Sequence, residues 1–172
     1  NQAIMDLGAT QCKPQNPLCD TCPFNLSCVA LEKKTIDKLP VKEKKIKIKK
    51  RYFNYLVPIT SDKKTILTER KGKGIWEGLY EFPLLESLSE IDENRVINSD
   101  LFQEIFKSET TLSLFNKKEI IHKLSHQHIY TKFWIVKTEE LSTKTIKWDN
   151  IKTYPVPVLI SNFLKEYLNK NE

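Results

Sequence analysis

Alternation of apolar and polar residues in the middle of the chain predicts short β-strands. Residues 53–60 form a strand, residues 61–64 a turn, and residues 65–70 a returning strand. Two more strands are predicted at 119–124 and 129–137. Between these pairs, three aromatic residues share one strand register, which is typical of core positions: Trp76, Tyr80 and Phe82.

Helical spacing of apolar residues predicts three helices. The first occupies residues 1–9 and ends or loosens at Gly8, the second follows a Ser99 cap over residues 100–107, and the third begins near Val158. The element order is strand, strand, glycine loop, strand, helix, strand, strand, helix. This order predicts an α+β fold with a mixed sheet.

All four cysteines lie in one short stretch, spaced Cys12-x6-Cys19-x2-Cys22-x5-Cys28. Two disulfides, a four-thiolate zinc site and a [4Fe–4S] cluster are the three possible uses of this pattern. Disulfides are disfavoured because no signal peptide precedes the stretch and the chain is long enough to bury its own core. Zinc sites pair two short cysteine knuckles, whereas Cys12 and Cys28 stand alone, so a cluster fits the spacing better.

Basic residues are concentrated at the start of the chain. Residues 1–52 carry eleven Lys/Arg and five Asp/Glu, whereas residues 53–172 carry seventeen of each. Such an excess is either a footprint for phosphates or a solvated linker. No apolar run is long enough to span a membrane, and reduced cysteines without an export signal predict a cytoplasmic, nucleoid-associated protein.

The three histidines fall within seven residues, at His122, His126 and His128. They could bind zinc, although neither a cysteine nor a carboxylate accompanies them. A hairpin between the predicted strands would instead divide them between two arms and leave ordinary surface histidines.

The first nine residues followed by the cysteine spacing resemble the end of the catalytic domain in helix-hairpin-helix DNA glycosylases. That resemblance implies that Cys12, Cys19, Cys22 and Cys28 ligate a [4Fe–4S] cluster. It also implies that the loop between the first two cysteines approaches DNA, which makes Lys13 the candidate phosphate contact.

The segment Leu67-x2-Arg70 through Gly74-x-Trp76-x-Gly78-Leu79-Tyr80-x-Phe82-Pro83 resembles the Nudix-like domain of adenine DNA glycosylases of the MutY type. The expected fold is a Nudix-like mixed sheet flanked by helices, preceded by a small iron–sulfur cluster loop with a helical lead-in. The predicted divisions are 1–30 for the end of the glycosylase domain with its cluster, 31–51 for a basic linker and 52–172 for an 8-oxoguanine-recognition domain.

Domains of this type carry an aromatic-Ser-His turn that meets 8-oxoguanine, and Leu124, Ser125 and His126 occupy the matching position here. Leucine replaces the usual phenylalanine. A serine hydroxyl can accept the hydrogen that oxidation places on guanine N7, which is an acceptor in ordinary guanine. The predicted DNA-binding residues are therefore Lys13, Leu124, Ser125 and His126.

The resemblance implies a parent DNA N-glycosylase that removes adenine opposite 8-oxoguanine or guanine in double-stranded DNA, acting as a monomer without a membrane partner. The catalytic acids of the family lie upstream of the matching segment, so the chain alone is expected to be inactive. Two alternatives are a non-catalytic iron–sulfur DNA-binding module and a Nudix pyrophosphatase. The second is disfavoured because the R-E-x-x-E-E motif is absent.

Overall fold

The computed structural model describes residues 1–41 and 47–171, and the chain divides into two compact units, Asn1–Ile46 and Lys47–Glu172. Residues 42–46, part of the predicted linker and of its possible strand start, lie outside the described residues. The domain boundaries at 30/31 and 51/52 stay predictions.

The first unit is a short helical segment around the cysteine loop. Helix α1 spans Gln2–Thr10, as predicted, although Gly8 neither ends nor interrupts it. After the loop come a 3₁₀ turn at Asn25–Ser27, helix α2 at Val29–Glu32 and a second 3₁₀ turn at Ile36–Lys38. No residue of these four elements is buried.

The second unit is built on strands and three helices. Its strands are β1 (Lys49–Thr60), β2 (Lys64–Thr65), β3 (Thr68–Glu69), β4 (Tyr80–Glu81), β5 (Leu84–Ser87), β6 (Thr110–Leu114), β7 (Ile120–Lys123), β8 (Gln127–Thr138) and β9 (Ile146–Lys147). Its helices are α3 (Glu93–Ile97), α4 (Asp100–Ile105), a 3₁₀ segment (Trp148–Thr153) and α5 (Val158–Asn171). Among the described helices of both units, none is long and apolar enough to cross a membrane.

A mixed five-stranded sheet forms the centre of this unit, which confirms the predicted fold class. Strands β1 and β8 run parallel in register along twelve residues, from Lys49 opposite Gln127 to Thr60 opposite Thr138. Strand β5 pairs antiparallel with the other side of β1, and β6 and β7 pair antiparallel with the other side of β8.

Each face of the sheet has its own core. On the first face, Phe53, Tyr55 and Phe133 pack against Phe163 of α5 and its apolar neighbours. On the second face, Leu56, Trp134 and Val136 pack against α3 and α4. The Ser99 hydroxyl accepts a hydrogen bond from the Phe102 amide, which confirms the predicted cap of α4. Helices therefore flank the sheet on both sides.

Two details of the strand prediction were wrong. Residues 65–70 do not form one strand, because Lys64 and Thr65 pair with β9 whereas Thr68 and Glu69 pair with β4. Trp76 does not share a strand register with Tyr80 and Phe82, because its backbone has a φ of 62° and lies in a tight loop. The elements that were not predicted include α2, α3, β5, β6, β9 and the 3₁₀ segment Trp148–Thr153.

Candidate functional site

The cysteine loop leaves α1 and is closed by hydrogen bonds at its neck. The amide of Cys12 donates to the Leu7 carbonyl at 2.8 Å, so the first cysteine follows directly from the last helical turn. Gln11 then accepts from the Leu18 amide through its backbone and donates to the Leu18 carbonyl through its side chain. This double contact brings Cys12 and Cys19 to neighbouring ends of the small loop between them.

Short hydrogen-bonded turns form the backbone between Cys19 and Cys28. The Cys22 amide donates to the Cys19 carbonyl at 3.2 Å, and the Asn25 amide donates to the Cys22 carbonyl at 3.0 Å. Cys28 caps α2, since its carbonyl accepts from the Leu31 and Glu32 amides. Local backbone geometry thus gathers all four cysteines within one small loop.

The four thiols are unbonded and line a single small cavity, together with apolar side chains that include Leu18 and Leu31. Burial raises the pKa of the Cys19 thiol, and the charges of Cys28, Cys12 and Cys22 raise it further. A raised pKa favours the neutral form of this thiol, so binding as a thiolate would require a positively charged metal group. The disulfide alternative finds no support, since no pair is bonded.

Nowhere in 1–41 and 47–171 do three or more His, Cys, Asp or Glu side chains form a group that could hold a metal ion. A mononuclear zinc ion would need four sulfurs at about 2.3 Å from one point, whereas each of the four irons of a cubane takes one sulfur. Four thiols that line one cavity are a donor set that suits either group. The assignment of these cysteines to a [4Fe–4S] cluster stays a prediction.

Lys13 follows the first cysteine and is exposed. Within the described residues its side chain has no hydrogen bond or ion pair. The structure therefore leaves its role as a phosphate contact a prediction.

The predicted lesion-reading turn is the tip of the hairpin formed by β7 and β8. Leu124 donates its amide to the Gln127 carbonyl at 2.8 Å, which leaves Ser125 and His126 as the two residues of the loop. The His126 carbonyl accepts from the Lys49 amide at 3.0 Å, so β1 also fixes this loop. Ser125 and His126 are exposed, and the Ser125 Oγ lies 3.3 Å from the His126 Nδ1.

Leu124 has a different position from its two neighbours. It is half-buried and packs against the core of the first sheet face. The structure therefore brings Ser125 and His126 together at the tip and places Leu124 at its base, where it anchors the turn.

The hairpin divides the histidines, which contradicts the zinc alternative. His122 lies opposite Ile129 on the first face, where its ring is 5.5 Å from that of Trp76. His128 lies opposite Lys123 and therefore points to the second face. The three imidazoles do not converge.

A largely buried ion pair holds the glycine loop against the first face. Arg70 donates to both carboxylate oxygens of Glu81, at 2.7 and 2.9 Å, and its Nε donates to the Ile75 carbonyl at 3.0 Å. The Tyr55 hydroxyl donates to the same carboxylate at 3.0 Å. Burial raises the pKa of Tyr55 well above its usual range, and the negative charge of Glu81 adds to this effect.

This ion pair has consequences for the residues near the turn. By holding Ile75, Arg70 fixes the left-handed conformation of Trp76, which is unusual for a bulky residue. Trp76 in turn packs edge-on to Phe53 at 6.2 Å and against His122. Gly78 has a φ of 77° and closes the loop by donating to the Arg70 carbonyl. Sequence reasoning missed this network because its members are separated along the chain.

Three acidic residues between 84 and 107 take structural roles. Glu86 binds Arg51 through two hydrogen bonds of 2.6 and 2.7 Å, which lowers the pKa of Glu86 and raises that of Arg51. Glu90 pairs with Lys132, and Asp92 caps α3 by accepting from the Arg95 amide. These three carboxylates are used in the fold rather than gathered around one point.

Comparison with known proteins agrees with this architecture. A family model described as "NUDIX domain" matches residues 54–166. The chain belongs to the NUDIX domain family. Its matched segment begins inside β1 and ends inside α5, so it includes most of the central sheet and parts of both flanking layers.

Among curated relatives, the chain is similar to two bacterial proteins named "Adenine DNA glycosylase". One, from Buchnera aphidicola subsp. Baizongia pistaciae (strain Bp), is 31% identical over 139 residues, which cover 79% of this chain and 36% of the relative. The other, from Buchnera aphidicola subsp. Schizaphis graminum (strain Sg), is 39% identical over 83 residues, covering 48% of this chain and 24% of the relative. The chain thus spans about a quarter to a third of these two relatives.

A solved structure with the same fold is titled "Crystal structure of the complex between the C-terminal domain of mouse MUTYH and human PCNA". The match has a TM-score of 0.54 and 16% sequence identity, covering 70% of this chain and 89% of that one. At this identity the likeness concerns the fold. The family match, the relatives and the fold together confirm the resemblance to MutY-type proteins.

Proposed function

We propose that this chain is the cluster-bearing and lesion-reading part of a DNA N-glycosylase that removes adenine opposite 8-oxoguanine. The observation that carries the proposal is the tip of the β7–β8 hairpin, where Ser125 and His126 are exposed on a backbone fixed by both neighbouring strands. The relatives named adenine DNA glycosylase support the activity of the parent protein.

Ser125 reads the oxidised base in this proposal. Oxidation converts guanine N7 from an acceptor into an N–H donor, and the rotatable serine hydroxyl accepts from that donor. His126 lies beside it and donates to a flanking phosphate or to the lesion. Leu124 does not insert between bases, because it is already packed against the core.

The cysteine loop supplies a second, separate DNA contact. Cys12, Cys19, Cys22 and Cys28 would hold a [4Fe–4S] cluster, which would keep the loop folded. Lys13, next to the first ligand, then presents its ammonium group to a phosphate. The chain itself removes no base in this proposal, because it only positions DNA for the catalytic acids of the parent.

Ser125→Ala tests the lesion-reading role. Fluorescence anisotropy with duplexes containing 8-oxoguanine·adenine or guanine·adenine gives the ratio of the two dissociation constants. Leaving the N7–H without an acceptor costs about 1–2 kcal/mol of binding to the 8-oxoguanine duplex only. The preference for the 8-oxoguanine·adenine duplex over the guanine·adenine duplex should therefore fall roughly five- to thirtyfold. Ser113→Ala, at an exposed serine of β6, is the matched control and should leave the ratio unchanged. Equal losses of affinity for both duplexes would contradict the role of Ser125.

A further inference from the structure

The second face of the sheet is covered over only part of its length. Helices α3 and α4 cover Leu56, Trp134 and Val136, and Lys132 marks the edge of this cover because its ammonium group binds Glu90 and the Ile91 carbonyl. Beyond that edge, alternate residues of β8 remain half-exposed while their neighbours on the first face are buried. An open strip of sheet surface therefore extends toward the hairpin tip.

Two rows of side chains cross this open strip, as the strand register shows. The row next to the hairpin tip contains Lys50, His128 and Lys123, from β1, β8 and β7 respectively. The adjacent row contains Ser87, Tyr52, Tyr130 and Ile121. We call them the cationic row and the aromatic row.

Charge on the cationic row is not balanced by local carboxylates. Lys50 and Lys123 are exposed, and no carboxylate among the described residues forms an ion pair with either. Two acids of adjoining segments are engaged elsewhere, since Glu86 binds Arg51 on the first face and Glu90 binds Lys132. The row therefore presents uncompensated positive charge to solvent.

The aromatic row offers a rigid platform beside that charge. The Tyr52 and Tyr130 rings stack with centroids 5.0 Å apart and planes inclined by 20°. Lys50 Nζ lies 5.8 Å from the centre of the Tyr130 ring, which holds the lysine at the junction of the two rows. Ile121 extends the platform and is 44% exposed.

We propose that this open strip binds the sugar-phosphate backbone of duplex DNA, with phosphates on the cationic row and deoxyribose against the aromatic row. Three neighbouring strands at about 4.8 Å spacing give the cationic row a length of about 10 Å, so Lys50 and Lys123 are far enough apart to contact two different phosphates. The inference rests on the proposed function, because the strip begins where the lesion-reading turn ends. The role of the strip differs from that of the Ser125–His126 turn, because phosphate contacts position DNA without recognising sequence or damage.

The test is a salt titration of binding with the 172-residue chain. The slope of log affinity against log salt is about −0.9 per phosphate contact, so Lys50→Gln/Lys123→Gln should flatten it by about 1.8. Affinity at 0.1 M salt should fall about tenfold or more, equally for 8-oxoguanine·adenine and guanine·adenine duplexes. Lys50→Arg/Lys123→Arg retains both positive charges and should bind DNA with the same affinity and salt dependence as the unmodified chain.

The matched control removes two charges at positions outside the strip. Lys137→Gln/Lys147→Gln alters exposed lysines on the far end of β8 and on β9, and should leave the slope unchanged. An unchanged slope in the Lys50/Lys123 variant, or an equal change in the control, would overturn the inference. The unmodified 172-residue chain could bind both duplexes equally while the lysine substitutions still lower its affinity. That result would contradict the lesion-reading role of Ser125 and support the phosphate-binding role of the strip.

Discussion

Replacing Arg70 with methionine should destabilise the second unit by leaving the Glu81 carboxylate buried without its main partner. The two side chains are only 19% and 10% exposed, and Arg70 binds both carboxylate oxygens. Removing one member of a buried ion pair lowers the free energy of unfolding by about 3–5 kcal/mol. Because both side chains are still partly exposed to water, we expect a loss at the lower end, about 3 kcal/mol. The Tyr55 hydroxyl alone cannot replace two charge-assisted hydrogen bonds.

Urea denaturation followed by tryptophan fluorescence measures this loss directly. All three tryptophans, Trp76, Trp134 and Trp148, lie within the second unit, so the signal reports that unit alone. Trp76 is additionally held in place by the Arg70 side chain through Ile75. Its emission should therefore shift even in the absence of denaturant.

A double variant separates the buried charge from general damage to the loop. Glu81→Gln removes the charge but keeps an acceptor for Tyr55, so Arg70→Met/Glu81→Gln should recover at least about 1.5 kcal/mol relative to Arg70→Met. If the double variant is no more stable than Arg70→Met, the uncompensated carboxylate is not the cause and the reasoning is refuted.

Two further predictions concern the tyrosine and the cysteines. Because the pKa of Tyr55 is raised in the folded protein, its contribution to stability is complete below the unfolded value of about 10 and lost as pH rises above it; urea midpoints at pH 8 and pH 11 should differ less in Tyr55→Phe. The purified chain should be brown, absorb broadly near 400 nm and contain about four irons per chain. Cys19→Ser should lower the absorbance and the iron content, whereas stoichiometric zinc in the unmodified chain would contradict the cluster.

Features that depend on neighbouring residues were accessible from sequence. The Ser99 cap is a local contact with the Phe102 amide, and α5 follows from apolar spacing after Pro157. The arrangement of the cysteines is also local, since a single loop carries all four of them and short turns set its shape. For the same reason the exposed pair Ser125 and His126 could be placed on a hairpin tip.

Features that depend on long-range pairing were not accessible. Residues 65–70 look like one strand by composition, but Thr65 pairs with Ile146 and Thr68 with Glu81, which divides them between two small sheets. The sequence pattern predicts Trp76 as a strand residue, whereas its loop conformation depends on the contact between Arg70 and Glu81. The open strip likewise needs the register of β1 against β8, which no local pattern specifies.

The parallel pairing of β1 with β8 has a consequence for any attempt to isolate the β7–β8 hairpin. A peptide containing only β7 and β8 would lack the Lys49 amide that holds the His126 carbonyl, and it would lose the partner along the whole other edge of β8. Parallel strands cannot be joined by a tight turn, so this support must come from a distant part of the chain. Moving the Ser125–His126 turn onto another scaffold therefore requires β1 as well, in its native alignment with β8.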